Sequence, residues 1–97
     1  MRVVSRSAIK AYYTKNSNSK TALEEWHFKI NKCNPINLNE LKETFGSADF
    51  IGNNRVVFNI KGNDYRLIAI VIYASSKVYI RWIGSHAAYD KINAKNI

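Results

Sequence analysis

The sequence predicts an α+β fold: helices first, packed on one face of a small antiparallel sheet, and a short helix at the end of the chain. Three observations predict it. Apolar residues recur at helical spacing up to Gly46. Beyond Gly46 the period changes to extended runs rich in β-branched and aromatic residues. Two hairpin-length turns, "KGND" and "ASSK", separate those runs.

Taken in order, "RVVS" (2–5) is compatible with a short strand. Ser5 is then a candidate N-cap for a helix over 6–15, with Ile9, Tyr12 and Tyr13 on one side. "NSNSK" (16–20) has the length and composition of a helix–helix connection. The second helix is expected over 20–33, because Ala22, Leu23, Trp26 and Ile30 form an apolar stripe that leaves His27 and Lys29 off it. Pro35 breaks the pattern. "LNELKETFG" (38–46) reads as a third helix, with Gly46 as its terminator. "ADFIG", "RVVFNI", "YRLIAIVIY" and "VYIRWI" read as strands, and a last short helix begins near Ser85.

The turns propose a register. Across "KGND", Ile60 faces Tyr65, Asn59 faces Arg66 and Phe58 faces Leu67. Across "ASSK", Tyr73 faces Val78, Ile70 faces Arg81, Ile68 faces Ile83, and Ser85 comes opposite Arg66. Alternation then gives an apolar face of Val56, Phe58, Ile60, Leu67, Val71, Ile80 and Trp82, which should meet the helices. The opposite face mixes Val57, Asn59, Lys61, Arg66, Ile68, Arg81 and Ile83, as an open ligand-binding face would. At one end of it Asn59 and Arg66 converge with the chain leaving Ser85, and His86 is expected beside the Arg66 guanidinium.

The 97 residues are enough for one domain spanning 1–97, and 15 Lys and Arg against 7 Asp and Glu leave a net charge of +8. That balance favours a polyanionic partner, although a merely solvated basic surface would look the same. One cysteine, Cys33, permits no internal disulfide, and with only His27 and His86 beside it no ordinary zinc site is expected. No metal or other cofactor is expected. No apolar run has the length of a membrane span and no signal peptide is evident, so a cytoplasmic protein without a membrane partner is the expectation.

Metal-free RNA cleavage needs a base for the 2′-hydroxyl proton, an acid for the departing 5′-oxygen and a cation for the phosphorane. His86 can serve as base or acid, Arg66 matches phosphate with paired donors, and Tyr89, three residues after His86, can hold substrate or pass a proton. Lys61 and Arg81 can hold flanking phosphates, and Asn59, Asn63 and Lys91 complete a candidate RNA-binding set. The plainer readings are a surface histidine, a salt-bridged arginine and a packing tyrosine. Asp90, four residues after His86, either orients it or neutralises a nearby arginine.

"NNRVVFNIKGNDYRLIAIVIY" followed by "VYIRWIGSHAAYDKI" resembles the HigB-type toxins of type II toxin–antitoxin pairs, in the RelE-like superfamily, and "AYYTKNSNSKTALEEW" is similar to their paired N-terminal helices. The resemblance implies a RelE-like fold. It also implies an endoribonuclease (mRNA interferase) that cleaves mRNA on the translating ribosome and so inhibits translation. The matching motif positions are Asn59, Gly62, Asn63, Arg66, His86, Tyr89 and Asp90, with functional roles carried to Arg66, His86 and Tyr89. A cognate helix-turn-helix antitoxin, HigA-like, is implied as partner, with promoter DNA bound only through it. The alternative is a non-catalytic basic module that binds RNA or the ribosome, an inactive toxin remnant included.

Overall fold

A computed structural model describes residues 1–97. In chain order it contains β1 (Arg2–Val3), α1 (Ser7–Lys15), α2 (Lys20–Lys32), α3 (Leu38–Thr44), β2 (Asp49–Gly52), β3 (Arg55–Ile60), β4 (Tyr65–Ile72), β5 (Lys77–Ser85) and α4 (His86–Tyr89), with 3₁₀ turns at Ser17–Ser19 and Ala94–Asn96. The five strands form one sheet in the order β1-β5-β4-β3-β2. All neighbours are antiparallel except β1, which pairs in parallel with Lys77 and Val78. The α+β expectation holds.

The helices form where the stripe placed them, with differences at their ends. α2 buries Leu23, Trp26 and Ile30. α1 starts one residue later than expected and lacks a side-chain cap: Ser5 instead lends its carbonyl to the amide of Ala8. α3 ends at Thr44, with Phe45 as its C-cap and Gly46 the next residue. Its start is well capped: Asn37 Oδ1 accepts the Glu40 amide at 3.0 Å, and Glu40 Oε1 accepts the Ile36 amide at 3.1 Å.

One core lies between the helices and one sheet face. It joins Ile9, Leu23, Trp26, Ile30 and Leu41 to Val56, Phe58, Ile60, Leu67, Ala69, Val71, Val78 and Ile80. Phe58 anchors it, with edge-to-face contacts to Trp26 and Phe45 at 5.4 and 5.2 Å between centroids. The apolar face read from alternation is therefore the packed face, with one exception.

The exception is in β5. The β3–β4 register is as expected, with Ile60 opposite Tyr65 and Asn59 opposite Arg66. The turn there requires left-handed backbone, and Lys61 and Gly62 supply it at φ 54 and 65°. The β4–β5 register differs. Val71, not Tyr73, faces Val78, and Tyr79, not Arg81, faces Ile70. A bulge at Arg81 then shifts the pairing by one residue, so Trp82 faces Ile68, Ile83 faces Leu67 and Gly84, not Ser85, faces Arg66. Trp82 and Ile83 thereby exchange faces: Ile83 packs against the core, and Trp82 stands on the outer face.

The outer face is also less open than expected. Val57 and Ile68 are 2% and 0% exposed although they point away from the helices. The chain after α4 turns back toward the β2–β3 side of the sheet and is tied down at its far end. Asn53 Nδ2 donates to the Lys95 carbonyl at 3.2 Å, and Arg55 Nε to the Ile97 carbonyl at 2.8 Å.

Candidate functional site

The site is assembled where the β3–β4 turn, the start of β4 and the end of β5 meet α4. The amide of His86 donates to the Asp64 carbonyl at 3.0 Å, which fixes the start of α4 to the β3–β4 turn. Ser85, in extended conformation, caps the helix by accepting the Ala88 amide on its hydroxyl at 3.1 Å. These two bonds set where His86 and Tyr89 emerge.

Arg66 and Tyr89 are brought together. The guanidinium carbon lies 4.8 Å from the Tyr89 ring centroid. Arg66 Nε is enclosed and has no acceptor. A buried, unpaired donor costs roughly 1–3 kcal/mol, so an anion reaching this side chain would recover part of that. Trp82 completes the group: its ring is 6.1 Å from Tyr89, tilted by 56°. It lies over Gly84, where a Cβ would come within 2.4 Å of two indole carbons. Gly84 is therefore small because the indole occupies its space.

His86 has different neighbours. It shares a recess of about 600 Å³ with Lys61, Asn63, Asp64 and Asp90. Its Nδ1 is enclosed, 4.0 Å from Asp90 Oδ1, which is too long for a hydrogen bond. The side chain as a whole is 44% exposed although Nδ1 is enclosed. α4 joins the two halves, because His86 and Tyr89 lie three residues apart on it. Asp90 borders both the His86 recess and a second one shared with Tyr89 and Ile92.

The remaining candidates are spread more widely. Asn59 sits opposite Arg66 but borders a smaller pocket, about 220 Å³, beside α2 with Lys61 and Gly62. Arg81 is exposed at the bulge and points its Nε at the Ile97 carbonyl, 3.4 Å away. Lys91 is exposed and borders neither recess of the site. No three His, Cys, Asp or Glu side chains converge as a metal-holding group. Burial pushes the Cys33 thiol pKa up, the N-terminal ammonium opposing, and its Sγ donates to the Ile30 carbonyl; nothing there makes a nucleophile of it. The largest recess, about 740 Å³, lies between α1 and α2 around Arg6, Lys10, His27 and Phe28, in the helical layer and apart from this group. No helix is long and apolar enough to cross a membrane.

Sequence reasoning missed Trp82 and Gly84. The available signal was Gly84 itself, since a glycine inside a strand run marks a bulge or a close approach.

Comparison with known proteins gives the same direction. Residues 19–92 match the family model described as HigB_toxin, RelE-like toxic component of a toxin-antitoxin system. The chain is 32% identical over 96 residues to the mRNA interferase toxin HigB of Escherichia coli K12, covering 97% of this chain and 92% of that one. The mRNA interferase HigB of Shigella flexneri aligns with the same values. That of Escherichia coli O6:H1 is 24% identical, over 95% of this chain and 91% of its own.

Proposed function

The chain belongs to the HigB toxin family, the RelE-like toxic components of toxin–antitoxin systems, and from that premise we propose how it acts on RNA. It is the toxin of such a pair and an mRNA endonuclease. Its substrate is mRNA on the ribosome in the cytoplasm, and a helix-turn-helix antitoxin, HigA-like, restrains the toxin. Promoter DNA would then be met only through the antitoxin. The whole of residues 1–97 acts as one toxin domain.

The observation that carries the mechanism is the Arg66 guanidinium over the Tyr89 ring, one helical turn from His86. The ribose 2′-oxygen attacks the adjacent phosphorus, its proton passes to a base, and the P–O5′ bond breaks as an acid protonates the leaving oxygen. A 2′,3′-cyclic phosphate and a 5′-hydroxyl result. Arg66 neutralises the charge that builds on the phosphorane, with planar donors suited to phosphate oxygens. His86, through Nε2, and the Tyr89 hydroxyl divide the two proton transfers. This scheme requires no metal. Lys61 and Asn63, in the recess with His86, hold the strand on the leaving side.

The test is 5′-end mapping of a translated transcript after induction. New ends within codons for wild type, absent for Arg66→Ala, are expected. Blocked translation with intact transcripts would instead identify a non-catalytic ribosome binder.

A further inference from the structure

Beyond Val78, the outward edge of β5 has no neighbouring strand, because β1 covers only Lys77 and Val78. α1 lies alongside and leaves a groove of about 380 Å³, bordered by Tyr12 and Lys15 of α1, by Asn16 just beyond it, and by Ile80, Arg81 and Trp82 from β5. The groove is lined mostly by apolar and aromatic residues, with Lys15 and Arg81 as its cations, Asn16 as its amide and no acid. Trp82 makes it continuous with the Arg66–Tyr89 pair, since the same residue borders the groove and packs against Tyr89.

We propose that this groove is a nucleotide subsite of the RNA-binding surface, taking a single-stranded nucleotide next to the scissile step. The base packs against Trp82 where it reaches the sheet edge, and the phosphate is met by Lys15 and by Arg81, whose Nε leaves the Ile97 carbonyl 3.4 Å away to do so. This rests on the ribonuclease reading only for which strand enters. Groove size suits one nucleotide. An aromatic face flanked by cations is the common chemistry for single-stranded RNA, tolerant of base identity because every base has a π-face.

A free sheet edge is also where a partner protein could add a strand. The bulge argues against that occupant. At Arg81 it breaks the even alternation of donors and acceptors that a pairing strand must meet, as bulges on exposed edges do.

The probe is a fluorescein-labelled oligoribonucleotide with 2′-O-methyl groups, which cannot undergo 2′-oxygen attack. Binding is read by anisotropy, and separately by tryptophan emission with an unlabelled copy. Trp26 is 3% exposed, so a change in emission reports Trp82. A saturable quench is expected. Trp82→Ala and Lys15→Ala should each weaken binding about tenfold, with Trp82→Phe restoring most of the loss. Lys15→Ala should also lower the salt slope by about one ion. An abasic residue at the responsive position should make Trp82→Ala silent. Thermal melts confirm that each variant is folded. No quench, or unchanged affinity in both variants, overturns the subsite. So does loss of antitoxin binding with RNA affinity intact, which would make the edge a protein site. Because this probe is not cut, the titration stands apart from cleavage. A wild type that cleaves while both variants bind normally removes only the subsite. A wild type that binds through Trp82 but yields no new 5′ ends removes only the nuclease reading.

Discussion

The Arg66 guanidinium carbon sits over the Tyr89 ring, 4.8 Å from its centroid, so a residue of the sheet and a residue of the last helix hold each other in place. Such a contact contributes about 0.5–2 kcal/mol. Phenylalanine preserves it and alanine does not, which separates the ring's role from that of the hydroxyl. Tyr89→Phe should keep the fold and the melting temperature yet slow cleavage by about 10²-fold or more. Arg66→Ala and Tyr89→Ala should abolish growth arrest. If Tyr89→Phe stays fully toxic, the hydroxyl has no part in proton transfer.

His86→Ala should relieve growth arrest, with cleavage down by about 10²–10⁴-fold. Asp90→Asn should do much less, under about fivefold, because the 4.0 Å gap leaves only a weak and solvated attraction. Primer extension on one translated message can compare the two. Equal losses would mean that Asp90 closes on the imidazole in the working complex.

Gly84→Ala tests the Trp82 placement without touching a reacting group. The added methyl would meet the indole at 2.4 Å, so the ring must swing off Gly84 and away from Tyr89. We expect a folded protein with altered tryptophan emission and cleavage reduced about tenfold, a cost of roughly 1.4 kcal/mol in the transition state. Normal activity with a displaced indole would show that Trp82 does not support Tyr89.

Ser85→Ala removes the hydroxyl that caps α4 and should cost about 1 kcal/mol. The helix is a single turn, so the loss should appear as fraying at His86 and Tyr89. Chemical denaturation gives the stability change, and the cleavage rate shows whether the two side chains have lost their positions. Ser85→Asp, which can also cap, should recover the stability.

His27 should make stability depend on pH. Burial, and secondarily the charge of Arg6, lowers its pKa below the usual 6.5. The unfolded chain therefore takes up the proton first as pH falls. The associated stability is present above about 6.5 and is lost progressively as pH drops through the unfolded and then the folded value. Urea melts between pH 8 and 5 should show this decline, and His27→Gln should flatten it. An unchanged slope in that variant would assign the dependence to other groups.

Much of this was legible in the sequence because it is local. The stripe of Leu23, Trp26 and Ile30 on α2, and the turn that needs Lys61 and Gly62 at positive φ, depend on a few neighbouring residues. That turn carried the β3–β4 register with it, and so placed Arg66 on the face away from the helices. The family resemblance in "VVFNIKGNDYRL" and "HAAYDKI" was equally plain from the residues alone.

Gly84 signalled an irregularity or close approach in β5, but the position of the bulge at Arg81 was not legible. An extra residue in β5 costs little locally, and what selects it is contact across the fold: Ile83 fits the core, and the Trp82 indole fits over Gly84 against Tyr89. The same holds for the outer face, where Val57 and Ile68 are buried and Asn53 and Arg55 hold the returning chain. Alternation and turn chemistry act over two to four residues, so the sequence by itself determined the elements, most of the core face and the family. Tertiary packing decided which residue faces Arg66 and which aromatic stands beside it, since a one-residue shift turns every later side chain over and only distant partners can choose between the two.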